Sequence, residues 1–338
     1  MNKKNKIINA HYQGVVCVKY YQNGNYIFSA GKDNTIIMWD IRTGHKKKNL
    51  VRLDFEVTCI AVSSNGRYLA FGSKGKTFKV FDLSNEMNEI KIDGHFRGVF
   101  ALAFSRDDRY IISGGGDNAI RLWDVKTGRQ IKVNQDHNAT VTSVLFSNDD
   151  RYILSGSNDG IIQLQDINTG SVLKRIKGTV GQINSLAFSR KGNFFVSAGA
   201  DATIRKWTAD LENEVIRMHG SRDGEWATTT ADGYYKTSPE GKNLVHWATI
   251  DNIETFSFEQ FETFTNKPTI IARRISGDFA AGKPFPRLSR PANLELQNHM
   301  GLVFTSQQSY VVQLKIKGEA IVKTLRLFTN GRPTVERI

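Results

Sequence analysis

From residue 15 onward the chain alternates short apolar runs with polar turns. In one stretch, GVFALAFS (98–105) is strand-like, RDDR turns, YIISGG returns, GDN turns, AIRLWDV runs out and KTGR turns again. Short alternating runs rich in β-branched and aromatic residues, bounded by Gly, Asp, Asn and Ser, read as strands joined by tight turns. Shifting the sequence against itself by 42 residues brings these runs into register. Trp39, Phe81, Trp123, Gln165 and Trp207 then share one position, and Asp40, Asp82, Asp124 and Asp166 follow the first four. Four short antiparallel strands recurring about every 40 to 45 residues predict an all-β fold built from propeller blades.

Five units alone make an unusually small ring. Residues 225–249 (EWATTTADGYYKTSPEGKNLVHWAT) follow the unit's outline and are expected to form a sixth, degenerate blade, closed by an outer strand from KIINA (6–10). Six blades is therefore the expected count, with seven as the alternative. Beyond Thr249, SFEQFETF opens with a capping box, Ser257 and Gln260, and spaces Phe258, Phe261 and Phe264 along one helical face. KPTIIARRISG places Pro268 at a helix start and Gly277 just past its end. The expected organisation is a propeller over 1–250, a helical segment packed on it over 251–277, a linker over 278–291 and a partial β-unit over 292–338. That last unit carries an Asn-Gly hairpin turn at 330–331.

Composition adds bounds. With 338 residues, 40% hydrophobic and 23% charged, the chain has the make-up of a soluble globular protein. It shows no apolar run of membrane-span length and no signal-peptide core, so a cytoplasmic protein without a membrane role is expected. The net charge of +13 is uneven: residues 1–50 hold nine Lys/Arg against two Asp (+7), and residues 267–338 hold twelve against four Asp/Glu (+8). Such basic ends can hold nucleic acid weakly. HKKK (45–48) lacks interleaved aromatics for base stacking, so solvated surface charge is the simpler reading.

Two motifs invite chemistry. AFGSKGKT (70–77) ends like a phosphate-binding loop in Gly75, Lys76 and Thr77, but such a loop needs a helix after it. The next residues, FKVFDLSNE, read as a strand and turn, and AFGSKGKT aligns with the same turn of every other unit. Cys17 and Cys59, also 42 apart, read as small buried thiols in neighbouring units rather than a disulfide or a nucleophile. No nucleotide, metal, other cofactor or small-molecule substrate is expected.

The WD pairs at 39–40 and 123–124, with His11, His95 and His137 at a fixed distance upstream, make the units resemble WD-repeats over residues 8 to about 210. That resemblance implies a hydrogen-bonded structural tetrad in each blade. His11, Ser29, Asp33 and Trp39 match it, as do His95, Ser113, Asp117 and Trp123. The fourth unit has His137, Ser155 and Asp159 with Gln165 for Trp; the fifth has Ser197, Asp201 and Trp207 with Thr179 for His. The second, with Leu53, Phe71, Gly75 and Phe81, has lost all four members. Wholesale apolar replacement is the low-cost way to lose a buried network, because a half-kept one strands polar groups at about 1 to 3 kcal/mol each. Recurrence in register also argues against reading the His, Ser and Asp residues as catalytic triads.

The order of repeats, the DGEW…DGYY…SPEG segment, the Phe-rich stretch and the strand ending NGRP resembles bacterial WD-repeat proteins in which a caspase-like cysteine protease domain comes next. It implies the sensing or scaffolding part of such a system, with that protease domain or a separate subunit as a partner. The expected function is a non-catalytic recognition module that binds a protein through loops on one face. Tyr12, Lys32, Phe55, Lys74, Phe96, Arg97 and Asn158 are the candidate contacts, since exposed aromatics and Arg commonly anchor interfaces.

Overall fold

A computed structural model describes residues 10–21, 24–84, 88–231, 233–241 and 266–277 in full. It also describes, as strands alone, 247–248, 255–256, 293–296, 314–317, 327–329 and 332–335. The first sheet is β1 (Val15–Tyr20), β2 (Tyr26–Gly31), β3 (Thr35–Asp40) and β4 (Lys46–Arg52). The second is β5 (Val57–Val62), β6 (Tyr68–Ser73), β7 (Thr77–Asp82) and β8 (Asn88–Asp93). The third is β9 (Val99–Phe104), β10 (Tyr110–Gly115), β11 (Ile120–Asp124) and β12 (Gln130–Asn134). The fourth is β13 (Val141–Phe146), β14 (Tyr152–Ser157), β15 (Ile161–Asp166) and β16 (Val172–Lys177). The fifth begins β17 (Ile183–Phe188), β18 (Phe194–Gly199), β19 (Thr203–Thr208) and β20 (Glu214–Gly220). Each is an antiparallel meander in chain order. The first strands of successive sheets touch one another, so they lie innermost.

The turns arise from their residues. The Asp of each WD-type pair caps the turn after its strand: Asp40 Oδ1 accepts the Thr43 N–H and Asp124 Oδ1 the Thr127 N–H, both at 2.8 Å. Gly44, Gly128 and Gly170 complete those turns at positive φ. The core lies between sheets, and one contact is built four times in register. Phe28 and Ile36 pack with Val57 and Ile60, and Ala70 and Phe78 with Val99 and Leu102. Ile112 and Ile120 pack with Val141 and Val144, and Leu154 and Ile162 with Ile183 and Leu186. Burial of each such large side chain contributes about 1.5 to 3 kcal/mol.

The described residues form five blades, not the six or seven expected. After each of the first four outer strands the chain returns to the axis, but after β20 it turns back on itself. Ser221 N–H donates to Glu225 O at 2.8 Å, with Gly224 at φ 86°. The next strands, β21 (Trp226–Thr229) and β22 (Tyr235–Thr237), therefore extend the fifth sheet to six strands. The Asp223-Gly224 turn is the cause, since Asp-Gly favours a tight hairpin. The outer strand expected from KIINA falls largely on residues outside those described.

Further on, β23 (Trp247–Ala248) pairs with β24 (Thr255–Phe256), rather than with β22. Helix α1 (Pro268–Ser276) runs between the expected Pro and Gly, with Gly277 left-handed at φ 104° and its N–H on the Arg273 and Arg274 carbonyls. It packs on β20 and β22 and buries Ile271. The capping box and Phe stripe of 257–264, and the linker over 278–291, lie outside the described residues. β25 (Asn293–Leu296) pairs with β26 (Leu314–Lys317), and β27 (Leu327–Thr329) with β28 (Arg332–Val335), while the expected Asn-Gly turn at 330–331 lies outside the described residues.

Candidate functional site

Two sets of loops emerge on the same side of the blades: those leading from an outer strand to the next inner strand, and the turns joining second to third strands. Backbone bonds tie them together in every unit. The N–H groups of Lys32, Lys74, Gly116, Asn158 and Ala200 donate to the carbonyls of Gly14, Glu56, Gly98, Thr140 and Gln182 at 2.8 to 3.1 Å. Any side chain on these loops thus stands on a braced backbone.

Below them lie the polar networks. In the first unit Trp39 Nε1–H donates to Ser29 Oγ at 2.8 Å, Ser29 Oγ–H to His11 Nε2 at 2.7 Å, and His11 Nδ1–H to Asp33 at 2.9 Å. One neutral tautomer satisfies the whole chain of donors. The third unit repeats it: Trp123 to Ser113 at 2.8 Å, Ser113 to His95 at 2.7 Å and His95 to Asp117 at 2.8 Å. In the fourth, His137 reaches Ser155 at 2.9 Å and Asp159 at 3.2 Å. Gln165 turns away to donate to the Gly170 carbonyl at 2.9 Å and leaves its own Oε1 buried without a partner. In the fifth, Trp207 donates to Ser197 at 2.9 Å, while Thr179 donates to the Gly181 carbonyl at 2.8 Å and does not reach Ser197. The second unit is apolar, with Phe71 and Phe81 edge to face at 5.1 Å and Leu53 packed on the same cluster.

Asp, His and Ser in this order resemble a hydrolytic triad, but the serines are walled in. Ser29, Ser113 and Ser155 are buried, and in the first and third units the oxygen also holds a Trp N–H. A nucleophile needs an approach path and a free oxygen lone pair. Burial lowers the pKa of His95 and of His137, with Asp117 and Asp159 opposing, so both rings are held neutral. Burial raises Asp117, yet the Phe96 N–H, His95 and Arg121 more than offset it and lower its pKa.

Arg121 and Arg205 were missed in the sequence. Arg121, buried two residues before Trp123, donates to Asp117 Oδ2 at 2.8 Å and lies 2.6 Å from His95 Nδ1. Arg205 donates to Asp201 at 2.8 Å, where the fifth unit lacks its His. The available signal was an Arg at i+4 from the turn Asp, masked by Ile37, Lys79 and Gln163 at the same position elsewhere. Also missed were Asp108 and Asp150, at φ 58° and 55° on the opposite side of the blades. Their carboxylates accept the N–H groups of Ser64 and Asn65, and of Arg106 and Asp107, in the preceding blade.

All seven candidate contact residues lie on the braced loops and are exposed. Tyr12, Phe55 and Phe96 project from the loops entering the first three blades, and Phe96 sits over the Arg121 guanidinium at 5.7 Å. Arg97 is next to it. Lys32, Lys74 and Asn158 occupy the facing turns, where Lys74 pairs with Glu56. Val180, exposed at the position of Tyr12 and Phe96 in the fifth unit, belongs to the set and was overlooked because its unit lacks the His that marks the place. The phosphate-loop lookalike is one of these turns: it leads into strand β7, and Phe55 packs against Gly75. Cys17 and Cys59 are free and half-buried, their thiols pushed by burial up to about 11 and about 12. Among the described residues no group of His, Cys, Asp and Glu is placed to hold a metal, and no helix is long and apolar enough to cross a membrane.

Comparison with known proteins matches the family model "WD domain, G-beta repeat" at residues 2–40, 42–82, 88–124, 128–166 and 170–208. An uncharacterized WD repeat-containing protein of Schizosaccharomyces pombe is 44% identical over 46 residues, 13% of this chain and 8% of that relative's length. The solved structure of U3-55K superposes with a TM-score of 0.58 at 20% identity, covering 69% of this chain and 79% of that one, a likeness of fold.

Proposed function

Since the chain belongs to the WD domain, G-beta repeat family, whose propellers are generally non-catalytic scaffolds for protein interactions, we propose that it is a recognition module holding a protein partner on its braced loop face. The observation that carries this is the arc of exposed apolar side chains, Tyr12, Phe55, Phe96 and Val180, all on one side and flanked by Lys32 and Arg97. Single exposed apolar residues are ordinary, but several at loop positions on one face mark an interaction surface. The reading is non-catalytic because each His-Ser pair is sealed beneath that face. Among protein partners, the caspase-like protease domain or subunit implied by the order of segments is the one to test first.

The test is capture from native lysate with the whole chain as bait, beside a Tyr12→Ser/Phe96→Ser variant. A partner retained by the native chain and lost from the folded variant supports the reading. Equal retention by both overturns it.

A further inference from the structure

In each blade the turn Asp is answered by the residue four places on. Arg121 donates to Asp117 Oδ2 at 2.8 Å in the third sheet, and Arg205 to Asp201 Oδ2 at 2.8 Å in the fifth. In the second, where Gly75 replaces the Asp, Lys79 turns to Glu89 at 2.8 Å instead. In the first, where Ile37 replaces the Arg, Asp33 is filled locally by His11, the Thr35 hydroxyl and the Thr35 N–H. The fourth sheet follows none of these. Asp159 accepts from His137, the Asn138 N–H and the Ile161 N–H, but among the described residues it meets no Lys or Arg. Gln163, 1% exposed, stands four places on, and its side chain ends short of an arginine's. Its Nε2–H donates to the Asp136 carbonyl at 3.1 Å, and its Oε1 is buried with no partner. Arg175, opposite Gln163 on the next strand, does not serve it and lies half-exposed beside Asp136 at 3.3 Å.

We infer that the fourth blade takes its guanidinium from outside, an arginine of the protein partner entering beside Asn138 to reach Asp159 and Gln163 Oε1. A buried acceptor without a donor is costly to keep, so an unpaired one marks a place that a donor fills. The donor is a guanidinium because the chain itself puts one there in the two sister blades, and because its planar fork serves a carboxylate and an amide oxygen together where a lysine is a point charge. Entry is from the braced loop face. Asn138, exposed, holds the register position from which Phe96 lies over Arg121 at 5.7 Å, and Asn158 is exposed on the facing turn. The inference rests on the recognition reading and names one side chain of the partner.

The test titrates the full chain with N-acetylarginine amide, followed by NMR at the Asn138 backbone and Gln163 side-chain amides. The native chain should saturate with a dissociation constant of about 1 to 10 mM, ordinary for one side chain without the rest of its protein. N-acetylcitrulline amide, which has the same shape without the charge, should bind about tenfold more weakly or worse. Gln163→Arg supplies the guanidinium from within, as the third and fifth blades do, and should abolish saturation while keeping the native melting temperature. Gln163→Leu removes the acceptor and should weaken binding about tenfold. A native chain that does not saturate would overturn the inference, showing that water or the chain itself already serves Gln163. Equal binding of the citrulline probe, or undiminished binding by Gln163→Arg, would also overturn it. Should Gln163→Arg fail to fold, Gln163→Leu decides, and unchanged binding by that variant is the refuting result. The titration contains no partner, so its failure leaves capture through Tyr12 and Phe96 to stand or fall on its own test.

Discussion

Replacing Asp117 with Ala tests the internal networks and separates two of their parts. Asp117 accepts from His95 Nδ1 at 2.8 Å, the Phe96 N–H at 3.0 Å and Arg121 Nη1 at 2.8 Å. The Asp117 and Arg121 side chains are 7% and 4% exposed, so solvent screens little of what is lost. Removing one member of a buried pair leaves the other as an unpaired buried charge, which costs about 3 to 5 kcal/mol. Asp33→Ala in the first unit strands His11 and a local turn but no cation, because Ile37 stands at the place of Arg121. Its loss should be about 1 to 3 kcal/mol. Adding Arg121→Leu to Asp117→Ala should bring the third unit's loss down towards that of the first. Urea denaturation gives the global figure, and hydrogen exchange over residues 95–124 shows whether the third blade opens alone, as blades in a repeat array can. An Asp117→Ala loss within about 0.5 kcal/mol of zero would refute the network's weight in the fold. Equal losses at Asp117 and Asp33 would refute the part given to Arg121.

Two further outcomes are expected at the same site. A Cβ on Gly115 would lie 2.1 Å from His95 Nδ1 and 2.3 Å from Asp117 Oδ1, so Gly115→Ala should cost about 1 to 3 kcal/mol by overpacking. The fourth unit, with Ser157 at that position, already shows His137 and Asp159 drawn apart to 3.2 Å; an unchanged urea midpoint would count against this. Acidification should destabilise the fold in two steps. His95 and His137 titrate below their unfolded value near about 6.5, so the unfolded chain binds protons first and stability falls as pH drops below that value. Asp33, Asp117 and Asp159, also lowered, add a second loss below about pH 4. Melting temperatures that stay level from about pH 7.5 to about pH 5 would contradict the first step.

Much of the fold was legible because it is written in repetition. Strand, turn and network positions recur at one spacing, and five copies average out local irregularity. What escaped was what occurs once. SRDGEW reads by the repeat as the entry to a new blade, though its Asp-Gly turn makes a hairpin that adds β21 to the edge of β20. Local turn chemistry outweighed the repeat there. Arg121 and Arg205 escaped for another reason: two residues before Trp, each shares the Trp's face of its strand, where a charged side chain breaks the apolar pattern, and only the packed blade shows that its guanidinium reaches the turn Asp. Asp108 and Asp150 read as ordinary turn residues. Their left-handed backbone, which turns each carboxylate onto the preceding blade, is a property of the assembled turns.

Under the proposed function, the two sides of the blades divide the work of stability and recognition. On one side Asp108 and Asp150 cross from blade to blade, and Arg67, Arg109 and Arg151 lie over Tyr68, Tyr110 and Tyr152 at 5.1 to 5.4 Å, so side chains there are committed to the fold. On the other side the loops are braced through their backbone alone, by bonds between loop and turn and by the turn carboxylates of Asp117, Asp159 and Asp201 accepting the N–H groups of Phe96, Asn138 and Val180, with the networks buried beneath. Tyr12, Phe96 and Val180 occupy one register position in three units without disturbing either. A loop held by its own backbone leaves its side chains free to differ from blade to blade at little cost in stability. Variation at those positions therefore changes what the face can hold while leaving the blades intact, which is the property a recognition surface requires.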